Sequence, residues 1–454
     1  MTVNPADSPL MGGLFGTEAM RTLFSDRGRL QAMLDVEAAL ARVQADLGII
    51  PADAASAIAR AARVDNLDLP EIAASTVLVG YPVVALVKQL GRAAGVEAAR
   101  YVHWGATTQD ILDTALVLQI RAGLDQIDAA LRDLARSLMN QAVTHRNTVM
   151  AGRTHLQHAL PVTFGYKCAV WLAPLIDHRE RLQALRRRTL RVQFGGAVGT
   201  LASLGHDGRR VTEALASDLG LACPDAPWHV ARDGLAEVAG ALGLLCGTLA
   251  KFATDIVLLM QTEVGEVFEP HQHGRGGSST MPQKRNPIAS EYVLAATRGV
   301  HALVPLLFGA MAQDQERSTG PWQSEQLALP QIFVLTSGAL MHSAAIAAGL
   351  AVDSERMRRN LEATGGLILA EAAMMALAPT MGRGPAHDAI ERACNAAIDG
   401  RRSFIDVLAE DARVSSLLDR VALERLLDPF AYIGESQTIV DRVVAKSQEV
   451  FGRG

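Results

Sequence analysis

Residues 117–138, VLQIRAGLDQIDAALRDLARSL, place Val117, Ile120, Leu124, Ile127, Leu131, Leu134 and Leu138 at alternating steps of three and four. That spacing returns one apolar side chain to the same face at every helical turn, so it predicts a long helix with a coiled-coil-like seam. A second seam, Leu235, Val238, Leu242, Leu245, Leu249, Phe252, Ile256 and Leu259, repeats the pattern further along. Each implies a helix of roughly 25 residues or more, about 40 Å at 1.5 Å per residue. A third long helix is expected between Pro161 and Val192. Stripes of this length on Ala- and Gly-rich faces are seldom satisfied within one chain, and Gly240, Gly243 and Gly247 allow a neighbouring helix to come close. The expectation is an all-α core in an obligate oligomer.

Working outward, Ser25-Asp26 before an amphipathic run reads as a capped helix ending near Gly48, with a new element beginning at Pro51. Beyond Val352 the pattern shortens into small helices separated by Gly365-Gly366, Gly382, Gly384 and Asp428-Pro429. Three helical domains are therefore expected: 1–105 at the N-terminus, 106–351 as a central long-helix bundle with a loop at 264–287, and 352–454 as a smaller unit. A net charge of −5 without a basic block argues against a nucleic-acid surface. Cys168, Cys223, Cys246 and Cys394 lack CxxC or metal spacing and read as reduced thiols. The first residues carry no signal-peptide pattern, and the apolar window Thr76 to Val87 is short and broken by Gly80 and Pro82. A soluble, cytoplasmic protein without a membrane partner is expected.

Polar clusters sit at the ends of the seams. In 274–287, GRGGSSTMPQKRNP, glycines make a loop that can close, Lys284 and Arg285 attract anions, and Asn286 with Pro287 reads as a helix N-cap and first position. Glu291 follows one turn in, as a first-turn acid or a partner for an imidazole. In 103–110, HWGATTQD, capping explains one polar residue but not Thr107, Thr108, Gln109 and Asp110 together. In 152–161, GRTHLQHALP, His155 is a candidate acid or base, and His155 with His158 lacks an acidic or thiol partner at metal spacing. Arg317, in 313–318, is able to bind a carboxylate through both ends of its fork. The clusters together point to a helical enzyme that handles a multiply anionic small molecule.

GSSTMPQKRNP resembles the signature loop of the fumarase/aspartase superfamily, and GRTHLQHALPVTFG and HWGATTQDILDT resemble its other two active-site segments, in the same order. SDRGRLQAMLDVEAALARVQADLGIIP, QFGGAVGTLASLG, LLMQTEVGEVFEP and RMRRNLEATGGLILAEA look most like the 3-carboxy-cis,cis-muconate cycloisomerases of aromatic (protocatechuate, β-ketoadipate) catabolism. The resemblance implies a homotetramer with a twenty-helix core, active sites shared among three subunits, no cofactor and no metal, and a di- or tricarboxylate substrate. It implies Ser278, His155 and Glu291 as catalytic residues, and Lys284, Asn286, Thr107, Thr108 and Gln109 as substrate-binding residues; His103, in the HWGATTQD segment, and Arg317 are further candidates for binding substrate. The expected reaction is lactonisation of 3-carboxymuconate through an aci-carboxylate. The alternative is a C–N or C–O lyase on a substituted succinate, which His155 favours because cycloisomerases of this kind can carry Trp there. Gln283 and the segment 320–325 are further points where substrate choice can differ.

Overall fold

The computed structural model describes residues 4–270, 277, 280–281 and 283–452, and its elements are almost all helical. The long ones are α1 (Asp26–Asp46), α2 (Thr108–Thr144), α3 (Phe164–Thr189), α4 (Asp233–Leu259), α5 (Ile288–Gly309) and α6 (Pro321–Gly349). Both seams are buried: every residue of the 117–138 seam is at most 1% exposed, and the 235–259 seam reaches no more than 4%. The helices themselves run to 37 and 27 residues, the first extending past its seam at both ends and the second ending with its seam at Leu259.

The chain divides into two compact units, Met1–Leu131, His178–Leu249 and Tyr292–Met341 in the first, and Arg132–Asp177, Ala250–Glu291 and His342–Gly454 in the second. In the first, Ser25 caps α1 by accepting from the Gly28 N–H at 3.1 Å. The helix then packs its Met33 and Leu34 face against Ile58, Leu86 and Leu90. Helices α4 and α5 approach closely where α4 carries glycine: a Cβ at Gly243 would lie 3.1 Å from Val304, and His301 Nε2 sits 3.0 Å from the Gly243 carbonyl.

The second unit holds two features outside the expected helical pattern. Strands β1 (Val149–Thr154) and β2 (Gln157–Thr163) form an antiparallel hairpin with a bulge between Ala151 and Arg153. A short β3 (Val267–Phe268) pairs with β4 (Ala351–Val352). Small helices pack around Leu377, Ile390 and Phe404 near the C-terminus, as the shortened pattern after Val352 leads one to expect.

Helices α4, α5 and α6 are each long and apolar enough, by length and composition, to cross a membrane, and only 28% of the apolar window of α5 is buried within the chain. Sequence inspection near the N-terminus did not anticipate this. On a single copy Leu244 of α4 and Phe308 of α5 are left exposed, as is Met311 just beyond α5.

Candidate active site

In the first unit, the segment before α2 is pinned by buried polar groups. Asp110, 1% exposed, accepts from four donors: the N–H groups of Thr107 (3.0 Å), Gly195 (2.9 Å) and Gly196 (2.9 Å), and His229 Nε2 at 2.7 Å. One of these is an ordinary first-turn cap; two tie the segment to a glycine turn about 85 residues away in sequence, and the fourth ties it to His229, 119 residues away. Gln109, 2% exposed, donates to Asp113 (3.0 Å) and to the His229 carbonyl (2.9 Å), and accepts from Arg317 Nη1 at 2.6 Å. Arg317 also donates to the carbonyls of Gly196 (3.3 Å) and Ala197 (2.6 Å). Gln109 and Arg317 are thus brought together, with Gln109 fully engaged inside the chain. Among the described residues no hydrogen bond engages the hydroxyls of half-buried Thr107 and Thr108, which stand at the N-terminal end of a 37-residue helix. Free hydroxyls beside a positive dipole end suit an anion.

Behind this layer lies an ion network that the sequence did not advertise. Arg232, Asp113 and Glu325 are each 1% exposed at the side chain. The guanidinium donates to Asp113 at 2.7 and 2.9 Å and to Glu325 at 2.9 and 2.6 Å, and it lies 4.9 Å from the Trp228 ring centroid. Burial opposes the charge on Arg232, but its two carboxylates outweigh that and hold its pKa up. Burial pushes the Glu325 carboxyl above its ordinary range despite Arg232, which pulls it back. Trp322 donates to Asp113 at 3.2 Å and its ring lies 5.3 Å from Tyr81. Within 320–325, Trp322 and Glu325 therefore face inward, leaving exposed Gln323, which donates to the Tyr81 hydroxyl at 2.9 Å, as the outward polar group.

His103 adopts φ 64°, a left-handed conformation rare for a non-glycine residue. Its Nδ1 lies 2.6 Å from Glu37 Oε1 and its backbone N–H donates to Glu37 Oε2 at 3.1 Å. Burial lowers the imidazole pKa, but the hydrogen bond and charge of Glu37, with the charge of Asp110, outweigh it and leave it raised.

In the second unit, His155 and Leu156 form the two-residue turn of the β1–β2 hairpin, with Thr154 paired to Gln157. Both have positive φ, 51° and 63°, the backbone of a type I′ turn usually built from Asn and Gly. His155 is exposed, and among the described residues no hydrogen bond or ion pair joins it to Glu291, which is also exposed. The hairpin is braced from beneath: Arg153 makes a fork to buried Glu266 at 2.7 and 2.9 Å, and Asn360 donates to the same carboxylate at 2.8 Å.

Ser278 lies outside the described residues, as do His271, His273, Gly274 and Gly276. The far side of the loop is described. Gly277 pairs with Arg285, and the Lys284 N–H donates to the Met281 carbonyl at 3.0 Å. Lys284, Arg285 and Asn286 line a cavity of about 800 Å³ with Met260, Thr262 and Met281. The helix start expected at Asn286-Pro287 falls one residue later: α5 begins at Ile288, and the Pro287 carbonyl receives the first helical bond, from the Glu291 N–H at 2.9 Å. Capping comes instead from Glu269, whose carboxylate accepts from the Ala289 N–H (3.0 Å), the Ser290 N–H (2.8 Å) and the Ser290 hydroxyl (2.7 Å). A carboxylate reaches the exposed amides and the dipole end better than a neutral amide side chain.

Nearest to a metal arrangement among the described residues are His387, Asp388 and Glu391, whose ligand atoms lie within 4.8 Å of one another; all three are exposed on one helix, as on an ordinary solvated face.

Comparison with known proteins matches residues 15–301 to the family described as lyase and residues 366–443 to the adenylosuccinate lyase C-terminus. The 3-carboxy-cis,cis-muconate cycloisomerase of Pseudomonas aeruginosa is 50% identical over 96% of both chains. Trans-aconitate decarboxylase 1 of Mycosarcoma maydis is 46% identical over 96% of this chain and 88% of its own. The crystal structure of the 3-carboxy-cis,cis-muconate lactonizing enzyme from Pseudomonas putida superposes with a TM-score of 0.93 at 48% identity, covering 98% of this chain and 100% of that one.

Proposed function

Because this chain belongs to the lyase family, we propose that it is an enzyme that lactonises 3-carboxy-cis,cis-muconate. The observation that carries the reading is the relative of that name sharing half its residues along almost the full length of both chains. One substrate carboxylate, already ionised at neutral pH, adds through oxygen to a double bond conjugated with a second carboxylate. The displaced π electrons collect on that second carboxylate as an aci-carboxylate, which then accepts a proton at carbon. No base is required. The chain must supply cations and donors that hold the developing charge, and one acid.

In this reading the free hydroxyls of Thr107 and Thr108 at the start of α2, and Lys284 and Asn286 on the cavity wall, hold substrate carboxylates. Gln109 and Arg317 lock together the segments that carry this surface. Ser278 delivers the proton to carbon. Glu291 orients His155 in an assembled homotetramer. The exposed apolar residues of α4 and α5 are covered there by other copies, in a soluble, cytoplasmic protein needing no cofactor, metal, membrane or nucleic acid. Along the chain the roles divide by segment: 1–105 supplies His103, 106–351 the long helices and the loop, and 352–454 a smaller set of helices.

A second reading, cleavage of a substituted succinate, is favoured by His155, an exposed imidazole free to protonate a leaving group. The two readings are separated by incubating the purified protein with 3-carboxymuconate and following loss of its conjugated ultraviolet absorbance. No loss at high enzyme concentration refutes lactonisation, whereas fumarate release from succinate adducts supports the second reading.

A further inference from the structure

Glu37 lies on the buried face of α1, 1% exposed, among Ala, Leu, Met and Val, with Gln44 the other buried polar side chain of the helix. Among the described residues its two carboxylate oxygens meet only His103, one the backbone N–H and the other Nδ1. A lone carboxylate removed from water is strongly unfavourable unless a cation accompanies it. An imidazolium at His103 is the one group placed to do so. The two bonds also hold His103 in its left-handed backbone conformation, which a non-glycine residue disfavours. With Nδ1 committed, Nε2 is the ring atom left for a ligand. The side chain is 20% exposed, and among the described residues Nε2 makes no hydrogen bond.

We propose that Glu37 is a positioning residue that keeps His103 cationic and fixes its ring, so that Nε2–H donates to a substrate carboxylate beside the Thr107–Thr108 end of α2. The charged groups acting on the imidazole are Glu37 from α1 and Asp110 from α2, and Asp110 is already engaged by His229 and three backbone amides. Glu37 is thus the group that controls this charge. It holds the imidazole's pKa above its ordinary value, so the cation persists to higher pH than in a free imidazole and is lost as pH rises through that raised value. The reading of Thr107 and Thr108 as a carboxylate site rests on the function proposed above.

The test uses the whole protein and tricarballylate, a saturated tricarboxylate, with dissociation constants measured by calorimetry from pH 6 to 9. In the wild type, binding weakens on the alkaline side. In Glu37→Gln, which keeps the side chain's shape, that weakening moves to lower pH, because the opposite charge beside the ring is gone. In His103→Gln binding is weaker at neutral pH and flat with pH, which carries the test should Glu37→Gln not assemble. Superimposed wild-type and Glu37→Gln curves overturn the proposal, as does pH dependence retained in His103→Gln, or a wild type that fails to bind tricarballylate. A wild type that binds in this pH-linked way but does not turn over 3-carboxymuconate removes the lactonisation reading and leaves the Glu37–His103 pair standing.

Discussion

Replacing Arg232 with methionine should be among the most damaging single changes in the first unit. Methionine has similar length and no charge, so it strands Asp113 and Glu325, both 1% exposed, without their cation. Breaking a buried pair by removing one partner costs about 3–5 kcal/mol, and here one arginine serves two carboxylates through four hydrogen bonds of 2.6–2.9 Å. Set against typical domain stabilities of about 5–15 kcal/mol, that is about a fifth or more of the total. With a urea dependence near the upper end of about 1–3 kcal/mol per molar, the first unfolding midpoint should fall by about 1 M or more. The pH dependence adds a signature. Glu325 already titrates above its ordinary range, so its protonated form favours the folded state below the unfolded carboxyl pKa, and that contribution is lost as pH rises through the folded value. Losing Arg232 raises the folded value further, so the variant's deficit should be largest near neutral pH and shrink toward pH 5. Urea unfolding followed by circular dichroism at several pH values measures both effects. A midpoint within experimental error of wild type at neutral pH, or a deficit constant from pH 5 to 8, would refute the reasoning.

Ser278→Ala should reduce turnover of 3-carboxymuconate by several orders of magnitude with assembly by light scattering unchanged; near-normal turnover refutes the serine's role. His155→Ala should cost less in lactonisation than in cleavage of a succinate adduct, since only the latter has a leaving group to protonate, and kcat/KM for both substrates decides it. Glu269→Ala should destabilise the start of α5 by about 1–2 kcal/mol and slow turnover, because the cap joins the two ends of the loop that carries Ser278; amide exchange at Ala289 and Ser290 equal to wild type would contradict this. Leu156→Gly removes a side chain that is 70% exposed and relieves a left-handed leucine, so thermal unfolding should show unchanged or slightly higher stability, by up to about 1 kcal/mol; a clear loss would mean Leu156 packs on a neighbour.

The seam at 117–138 was legible because helical periodicity is a local property: apolar residues three and four apart share a face whatever surrounds them. The same holds for the Ser25 cap and the Pro51 start, and for the three segments whose resemblance identified the family. Local composition misled where distant residues intervened. Asn286 is a good cap in isolation, yet a carboxylate 17 residues earlier, Glu269, takes the position, and the helix starts one residue later. The turn at His155-Leu156 carries no Asn or Gly to announce a hairpin, because bracing of β1 by the Arg153–Glu266 pair holds a backbone that the two residues disfavour. Hydropathy alone makes α4, α5 and α6 candidate membrane spans, since composition does not record which face is apolar.

By itself, then, the sequence determined long helices, their buried faces and the family, because each is written in residues a few positions apart. Tertiary structure alone decided which charges lie inside: Glu37 with His103, 66 residues apart, and Asp113 with Arg232, 119 apart. Nothing local distinguishes a buried carboxylate from a solvated one. Its burial depends on whether a cation arrives from elsewhere in the fold, and that is settled only when the helices have packed.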